Sequence, residues 1–234
     1  MDVADLLESL EIPVITVGLT GHNQDAECLK DISEDTWRND VLEAFKMPAK
    51  RNVKCLFVGY SLGAALGLDI LSDHIKFDRM VLLAPAIAPR KPVQFLGRVA
   101  GKFPAFPLYS AVPERYRANS YLPLRAYDAL HHIYTSLKKK RFKHANVPTL
   151  VFMDPKDETM SMEVLQQTVE DCQLSHWTIL TLDSDHVDAQ TMFHHMIMNK
   201  KTMGSKNWTD FVRHVKDFIR EGAVNAPKGI SDNV

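Results

Sequence analysis

The sequence predicts an α/β fold in which a mostly parallel sheet is flanked by helices. Short, continuous apolar runs of strand length alternate with longer segments whose apolar residues recur at helical spacing. Continuous apolar runs are typical of strands that are buried on both faces of a parallel sheet. A glycine-flanked serine follows one of these runs, and aspartates and a histidine follow two later ones. Polar groups are therefore expected to collect at the carboxyl edge of the sheet, where such folds bind their ligands.

The alternation of helices and strands can be followed along the chain. Residues 34–45 are predicted to form a helix, because apolar side chains recur there at helical spacing. Four apolar runs predict strands, at residues 55–58, 80–85, 148–153 and 177–182. A last amphipathic helix carries Trp208, Phe211, Val212, Val215, Phe218 and Ile219.

The first predicted strand leads into the motif Gly-Tyr-Ser-Leu-Gly at residues 59–63. A serine on a sharp turn between a strand and a helix has a strained backbone, and the residues two before and two after it must be small where strand and helix crowd together. Glycine occupies both positions. The N–H of Leu62 would begin the helix and face an oxygen that becomes negative during acyl transfer. Ser61 is therefore predicted to be a nucleophile, with Leu62 as its oxyanion donor.

A serine becomes an effective nucleophile when a histidine accepts its proton and a carboxylate orients that histidine. In this topology the three residues follow one another as serine, acid and histidine. Asp154 and Asp157 come after the strand at 148–153, and His186 comes after the strand at 177–182. Asp157 is the favoured acid and Asp154 the alternative, because Asp154 precedes a proline and is expected to turn or cap the chain.

The chain has ten histidines, and His186 is chosen because it follows a predicted strand. His194 and His195 lie in the apolar stretch 191–196, which we predict to be helical, so we expect them to pack or to contact solvent. Metal binding would also explain many histidines. However, the sequence has no His-x-x-x-His motif bearing a glutamate and no Cys-x-x-Cys pair. We expect no metal and no other cofactor.

With Ser61, Asp157 and His186 in this order, the chain resembles the α/β-hydrolase superfamily. Within it, the chain resembles small-capped carboxylesterases and monoacylglycerol-lipase-like serine hydrolases. The resemblance covers nearly the whole chain and implies an α/β-hydrolase fold with a small helical cap.

The beginning of the chain departs from this family. Residues 12–23 are similar to the family's strand and loop written Asp-x-x-Gly-His-Gly, and residues 2–10 would then be the preceding helix, with Leu6, Leu7 and Leu10 toward the sheet. The first strands and the His-Gly oxyanion loop would be missing. Three explanations stay open: a native start farther upstream, a shortened fold with a substitute donor near residues 18–21, or a degenerate hydrolase.

Residues 86–146 are too long for one crossover helix and are predicted to be that helix plus a cap insertion. Prolines divide the segment into short pieces. Its aromatic residues could form a lid over a substrate pocket, but we expect most of them to form the cap's own core. These aromatic residues are Phe95, Phe103, Phe106, Tyr109, Tyr116, Tyr121, Tyr127 and Tyr134.

Composition is typical of one globular domain spanning residues 1–234, since 45% of the residues are hydrophobic and 24% are charged. A net charge of −1 does not favour nucleic-acid binding. Three scattered cysteines argue against a disulfide framework and favour a cytoplasmic protein. No signal-like or membrane-length apolar segment is present, so stable membrane insertion is not expected.

The predicted activity is hydrolysis of a carboxylic ester with a small to medium acyl chain, through an acyl-enzyme on Ser61. The expected partner is a small-molecule ester, and the oligomeric state stays open. One alternative is an acyl thioesterase, since the fold hosts several chemistries around the same triad. The other is a non-catalytic, hydrolase-like binding protein, because the usual oxyanion loop is not visible.

Overall fold

The protein is described here by a computed structural model, which covers residues 2–22, 26–51, 53–72, 74–110, 112–117, 119–185 and 189–224. The main sheet consists of β1 (Leu56–Tyr60), β2 (Arg79–Leu83), β5 (Thr149–Met153) and β6 (Trp177–Thr181). A separate antiparallel ribbon pairs β3 (Pro107–Tyr109) with β4 (Tyr121–Pro123). The α-helices are α1 (Val3–Glu8), α2 (Glu34–Arg51), α3 (Leu62–Asp69), α4 (Lys91–Ala100), α5 (Leu124–Lys139), α6 (Met162–Asp171), α7 (Lys200–Met203) and α8 (Ser205–Val224). Short 3₁₀ helices span Ala26–Leu29 and Glu114–Tyr116.

The four main strands are all parallel and lie in the order β1-β2-β5-β6. Each coincides with one of the four predicted strands to within two residues, and helices cover both faces of the sheet. The predicted α/β class with a mostly parallel sheet is therefore confirmed.

Alternate side chains of the strands enter two hydrophobic cores, one on each face of the sheet. Met80, Leu82 and Val151 point into the core that includes residues of α2, α3 and α5. Val81 and Phe152 point to the opposite face, where α1 and α8 pack. Since successive side chains of a strand point to opposite faces, continuous apolar runs were required to fill both cores.

Helix α1 begins with a capping box between Asp2 and Asp5 and buries Leu6 against strand residues of the sheet. Helix α8 covers the same face, where Trp208 and Phe211 are buried. The predicted first and last helices are thus present and pack on the sheet as expected.

The strand expected within residues 12–23 is not formed. Residues 12–19 belong to no strand, and Ile15 and Val17 are exposed. A strand is stable only when its backbone pairs with a neighbour, and this run pairs with no strand among the described residues. Its end is instead fixed by side chains of α2, because Asp40 accepts the N–H of Thr20 at 2.7 Å. Asn23, also part of the predicted loop, lies outside the described residues.

The predicted cap segment contains α4, the β3–β4 ribbon and α5. Helix α5 packs against α2 and α3 and buries Ile133 and Leu137 in the core. Helix α4 lies close along α5, since a Cβ added at Gly97 would come within 2.9 Å of the His131 side chain. The extent of the cap at 86–146 stays a prediction.

Four of the aromatic residues in this segment do not form a cap core. Phe95, Phe103, Phe106 and Tyr109 are exposed, so the prediction that most of these aromatic residues are buried in the cap is wrong for them. The physical reason is that α4 presents its small residues to α5. Gly97 and Ala100 are buried, which turns Phe95 to the opposite side of the helix.

Candidate active site

Ser61 occupies the turn between β1 and α3 with a strained backbone, at φ 48° and ψ −115°. Positive φ is uncommon for a residue other than glycine and is found where surrounding contacts impose it. Here the Ser61 N–H donates to the Leu83 carbonyl at 2.9 Å, and the Ser61 carbonyl accepts from Ala65 and Ala86. The ends of β1, β2 and α3 therefore hold the serine in this conformation.

The two glycines of the motif have different roles. A Cβ at Gly59 would lie 2.7 Å from the backbone of Ala64, so the close approach of β1 and α3 requires glycine there. A Cβ at Gly63 would meet nothing within 4 Å. The expectation that both positions must be small is correct for Gly59 and wrong for Gly63, which faces open space.

One imidazole bridges Ser61 and Asp157, and it belongs to His195. Its Nε2 lies 2.8 Å from Ser61 Oγ, and its Nδ1 lies 2.7 Å from Asp157 Oδ2. With the ring proton on Nδ1, His195 donates to the carboxylate and its Nε2 accepts from the serine hydroxyl. The Asp157 side chain is fully buried and the His195 side chain is 16% exposed.

The second oxygen of Asp157 is held by the loop that follows β5. Asp157 Oδ1 accepts the backbone N–H groups of Thr159 at 2.7 Å and Met160 at 2.8 Å. Burial alone would raise the pKa of this carboxyl. The hydrogen bond and the charge of His195, together with these two N–H groups, outweigh burial and hold the Asp157 pKa below its ordinary value.

The loop carrying the histidine is fastened by Glu158. Its Oε1 accepts the N–H of His194 at 2.9 Å, and its Oε2 accepts the N–H of His195 at 3.1 Å. The ring of Tyr60 lies beside the His195 ring, with the centroids 5.4 Å apart. Burial, with the nearby carboxylates of Asp157 and Glu158, raises the pKa of the Tyr60 phenol, which keeps it neutral.

A second histidine–aspartate pair lies next to the first. His194 Nδ1 is 2.8 Å from Asp154 Oδ2. The other oxygen of Asp154 accepts the hydroxyl of Ser184 and, at 2.8 Å, the N–H of Lys156. The Asp154 carboxylate thus joins the loops that follow β5 and β6.

The position predicted for His186 is therefore taken by His195. His186 itself lies outside the described residues. The prediction that residues 191–196 form a helix in which His195 packs or meets solvent is wrong, because the described chain is irregular there and α7 begins only at Lys200. The sequence does contain a signal for this boundary: Asn199 and Thr202 have the spacing of a capping box, which marks a helix start.

Leu62 is the first residue of α3, so its N–H has no carbonyl partner within the helix. Thr20, in the loop suggested for a second oxyanion donor, already donates its N–H to Asp40. Within the described ranges, His, Cys, Asp and Glu nowhere form a group of three or more suited to a metal ion.

A small cavity of about 20 Å³ lies between α4 and α5. Its lining includes Ala86, whose N–H donates to Ser61, and Met160, whose N–H donates to Asp157. The cavity therefore shares two residues with the loops that hold the serine and the carboxylate. Among the residues that the structure describes, no helix has the length and apolar composition needed to cross a bilayer.

Comparisons with known proteins agree with the architecture. No curated protein sequence matches the chain significantly. One of the metagenome-derived lipolytic enzymes LipS and LipT superposes with a TM-score of 0.71 at 17% identity, covering 93% of this chain and 87% of that chain. Est1E from Butyrivibrio proteoclasticus with bound ferulic acid gives 0.63 at 15% identity, covering 94% and 81%. Monoglyceride lipase from Saccharomyces cerevisiae gives 0.61 at 13% identity, covering 82% and 71%.

These identities are low, and the three structures establish a common fold. The family model of the alpha/beta hydrolase family matches residues 1–199, which include the serine turn, both aspartates and both histidines of the site. The fold and this match together identify the chain as a member of the α/β-hydrolase family.

Proposed function

We propose that the protein is a serine hydrolase that cleaves carboxylic esters of small to medium acyl chain. The observation that carries the proposal is the line of hydrogen bonds from Ser61 through His195 to Asp157, with heavy-atom distances of 2.8 and 2.7 Å. These distances lie within the reach needed for proton transfer from a nucleophile to its base. Membership of the hydrolase family and the fold shared with lipolytic enzymes support the same chemistry.

In the first half of the reaction, Ser61 Oγ attacks the ester carbonyl while His195 Nε2 accepts the hydroxyl proton. Asp157, ionised and buried, stabilises the imidazolium that forms. The carbonyl oxygen becomes negative, and the N–H of Leu62 at the start of α3 donates to it. His195 then returns the proton to the leaving alcohol, so an acyl-enzyme on Ser61 remains.

In the second half, water enters the site left by the alcohol. His195 removes its proton as the water oxygen attacks the acyl carbonyl, and the serine leaves with that proton. The carboxylic acid is released and the free enzyme is restored. No cofactor takes part in either half.

The cavity beside Ala86 is a candidate for the inner end of an acyl pocket, and its volume of about 20 Å³, room for about one water molecule, would admit only the end of a short acyl group. Leu130 of α5 lines it. Truncating this side chain in a Leu130→Ala variant should raise the hydrolysis of p-nitrophenyl octanoate relative to the acetate.

The proposal is tested by hydrolysis of p-nitrophenyl acetate, butyrate and octanoate, combined with fluorophosphonate labelling. We expect turnover and labelling in the natural protein and neither in Ser61→Ala. His195→Ala should lose at least about a thousandfold in kcat/KM. His186→Ala is the matched control and should keep activity within a few-fold.

Loss of activity in His186→Ala with retention in His195→Ala would overturn the assignment of the base. A folded protein without turnover or labelling would contradict the hydrolase itself and favour a binding role. Faster turnover of acyl-CoA than of every simple ester would replace the ester class by thioesters.

A further inference from the structure

The outer side of α4 and the turn after it carry an apolar stripe. Phe95, Val99 and Phe103 follow one another at four-residue spacing, so they lie on one side of a helix with 3.6 residues per turn. The helical path continues past α4, since Phe103 N–H donates to the Ala100 carbonyl at 3.1 Å. Gly97 is buried against α5 on the other side. The Phe95 and Phe103 side chains are 67% and 64% exposed.

Two more exposed aromatic residues follow in the chain, Phe106 just before β3 and Tyr109 at its end. Phe106 is 61% and Tyr109 is 75% exposed. Their backbone is ordered, because Phe106 accepts the N–H of Leu124 at 2.9 Å and Tyr109 pairs with Tyr121 across the ribbon. We call Phe95, Phe103, Phe106 and Tyr109 the aromatic face.

Four exposed aromatic rings within fifteen positions of one segment are costly in water and mark an interaction surface. Single exposed apolar residues need no explanation. Here, however, the four exposed rings follow one another on a hydrogen-bonded helix, its turn and the start of the ribbon.

The charged residues of α4 and of the turn after it all have one sign. Lys91, Arg98 and Lys102 are exposed on α4 and the turn after it. Residues 79–113 contain no aspartate or glutamate. Asp128 of α5 lies beside Gly101 and 3.8 Å from His132 Nε2, on the side of α4 that faces α5.

We propose that the aromatic face docks onto the surface of an anionic lipid bilayer. Exposed phenylalanine and tyrosine rings enter the layer between headgroups and acyl chains, and flanking lysine and arginine side chains bind the anionic headgroups. Charge also argues against a second copy of the chain as the occupant. A two-fold contact through this face would set its three cations against the same three cations of the other copy.

The docking surface is mechanically connected to the site. Arg90, directly before α4, donates from Nε to the Asp157 carbonyl at 2.7 Å, and its N–H donates to the Thr159 carbonyl at 2.9 Å. Docking therefore brings the loop that carries Asp157 close to the bilayer. If the proposed function holds, esters dissolved in the bilayer become accessible substrates, but lipid binding itself is measured without any activity.

The test is sedimentation of the purified protein with vesicles of phosphatidylcholine alone or of phosphatidylcholine mixed with phosphatidylglycerol. The natural protein should bind the anionic vesicles, bind neutral ones at least about tenfold more weakly, and lose affinity as salt shortens the Debye length. Two triple variants each remove one component of the surface. The apolar component is removed by Phe95→Ser, Phe103→Ser and Phe106→Ser together. The cationic component is reversed in charge by Lys91→Glu, Arg98→Glu and Lys102→Glu together. Each should weaken binding by at least about tenfold.

Two matched controls make equal changes elsewhere on the surface. The charge control combines Lys138→Glu, Lys139→Glu and Lys143→Glu. The apolar control combines Val53→Ser and Met192→Ser. All five natural side chains are exposed. Both should bind anionic vesicles within about twofold of the natural protein. Circular dichroism and the turnover of soluble p-nitrophenyl acetate report folding of every variant.

The proposal is overturned if the natural protein does not bind anionic vesicles or binds neutral vesicles equally well. It is also overturned if the control variants lose as much affinity as the variants of the aromatic face. Light scattering could instead show that the natural protein is a dimer and that the triple serine variant is a monomer. If the natural protein also fails to bind vesicles, this face is a contact between two copies of the chain.

Discussion

Two histidine–aspartate pairs lie side by side in this protein and share almost the same local geometry. His195 and His194 are consecutive, and their Nδ1 atoms lie 2.7 and 2.8 Å from Asp157 and Asp154. Both carboxylates are fully buried, and both imidazoles are mostly covered. Only the His195 ring reaches Ser61, whereas Asp154 accepts the hydroxyl of Ser184 directly.

The two pairs differ in where the nearby serine binds: Ser61 contacts the histidine of its pair, whereas Ser184 contacts the aspartate of its pair. Ser61 sits in a strained turn at the carboxyl end of β1 and meets the free nitrogen of His195. Ser184 hydrogen-bonds to the carboxylate itself, so no imidazole stands between them to take its proton. A buried histidine–aspartate pair can take a proton from a serine only where the second nitrogen of the imidazole faces that serine.

The largest expected effect separates the two histidines. His195→Ala should lower kcat by about 10³–10⁴-fold, because the proposed general base is lost. His194→Ala should change kcat by less than about tenfold, since His194 makes no contact with Ser61 in the proposed mechanism. Steady-state hydrolysis of p-nitrophenyl butyrate measures both, and equal losses would remove the distinction between the pairs.

The two aspartates should separate activity from stability. Asp157→Asn should lower kcat by about 10³–10⁴-fold, since the amide cannot stabilise the imidazolium. Asp154→Asn should leave kcat within about tenfold but lower the free energy of unfolding by about 1–3 kcal/mol, because buried partners lose a charged acceptor. Urea unfolding and kinetics on the same preparations check this. An inactive Asp154→Asn protein of natural stability would contradict the structural role of that pair.

Glu158 acts on both pairs, because it accepts the N–H groups of His194 and His195. Glu158→Ala should lower kcat by about ten- to a hundredfold through misplacement of the His195 ring. Glu158→Gln keeps one carbonyl oxygen as an acceptor and should recover part of this loss. The expected signature is a fall in kcat with KM nearly unchanged, and a change confined to KM would argue against a positioning role.

The smallest expected effect is in the acid dependence of stability. The Asp157 pKa is lower in the folded protein than its ordinary value of 3.8. The unfolded chain therefore binds more protons in that range, and stability rises with pH there. The contribution of Asp157 is present above the ordinary pKa and is lost as pH falls through the depressed value. Urea unfolding at several acidic pH values should show a shallower pH slope in Asp157→Asn than in the natural protein, and identical slopes would contradict this linkage.

Much of the fold follows from local pattern. The four main strands are continuous apolar runs of strand length, which are typical of buried parallel strands, so their positions could be predicted closely. Ser61 is marked by a glycine that the crossing of β1 and α3 requires at position 59. Asp157 follows a predicted strand, and its placement at the carboxyl edge follows from that position alone.

The histidine could not be chosen in the same way. His186 and His195 both come after β6 and before α8, and local pattern places both in the same connection. Which imidazole reaches Ser61 depends on contacts between distant loops, including the Glu158 carboxylate that binds the histidine backbone. Apolar neighbours such as Met192 suggested a helix, but Met192 is 89% exposed in an irregular segment.

The sequence by itself determined the sheet, the serine turn and the position of Asp157 directly after a strand, because each is specified by residues close together in the chain. Only the tertiary structure decided which histidine completes the line of hydrogen bonds and that the aromatic residues of α4 and its turn face outward. The reason is physical: periodicity reports which residues share a side of an element, whereas packing decides what that side meets. On α4, Gly97 and Ala100 allowed close contact with α5, and the aromatic rings were left on the opposite side.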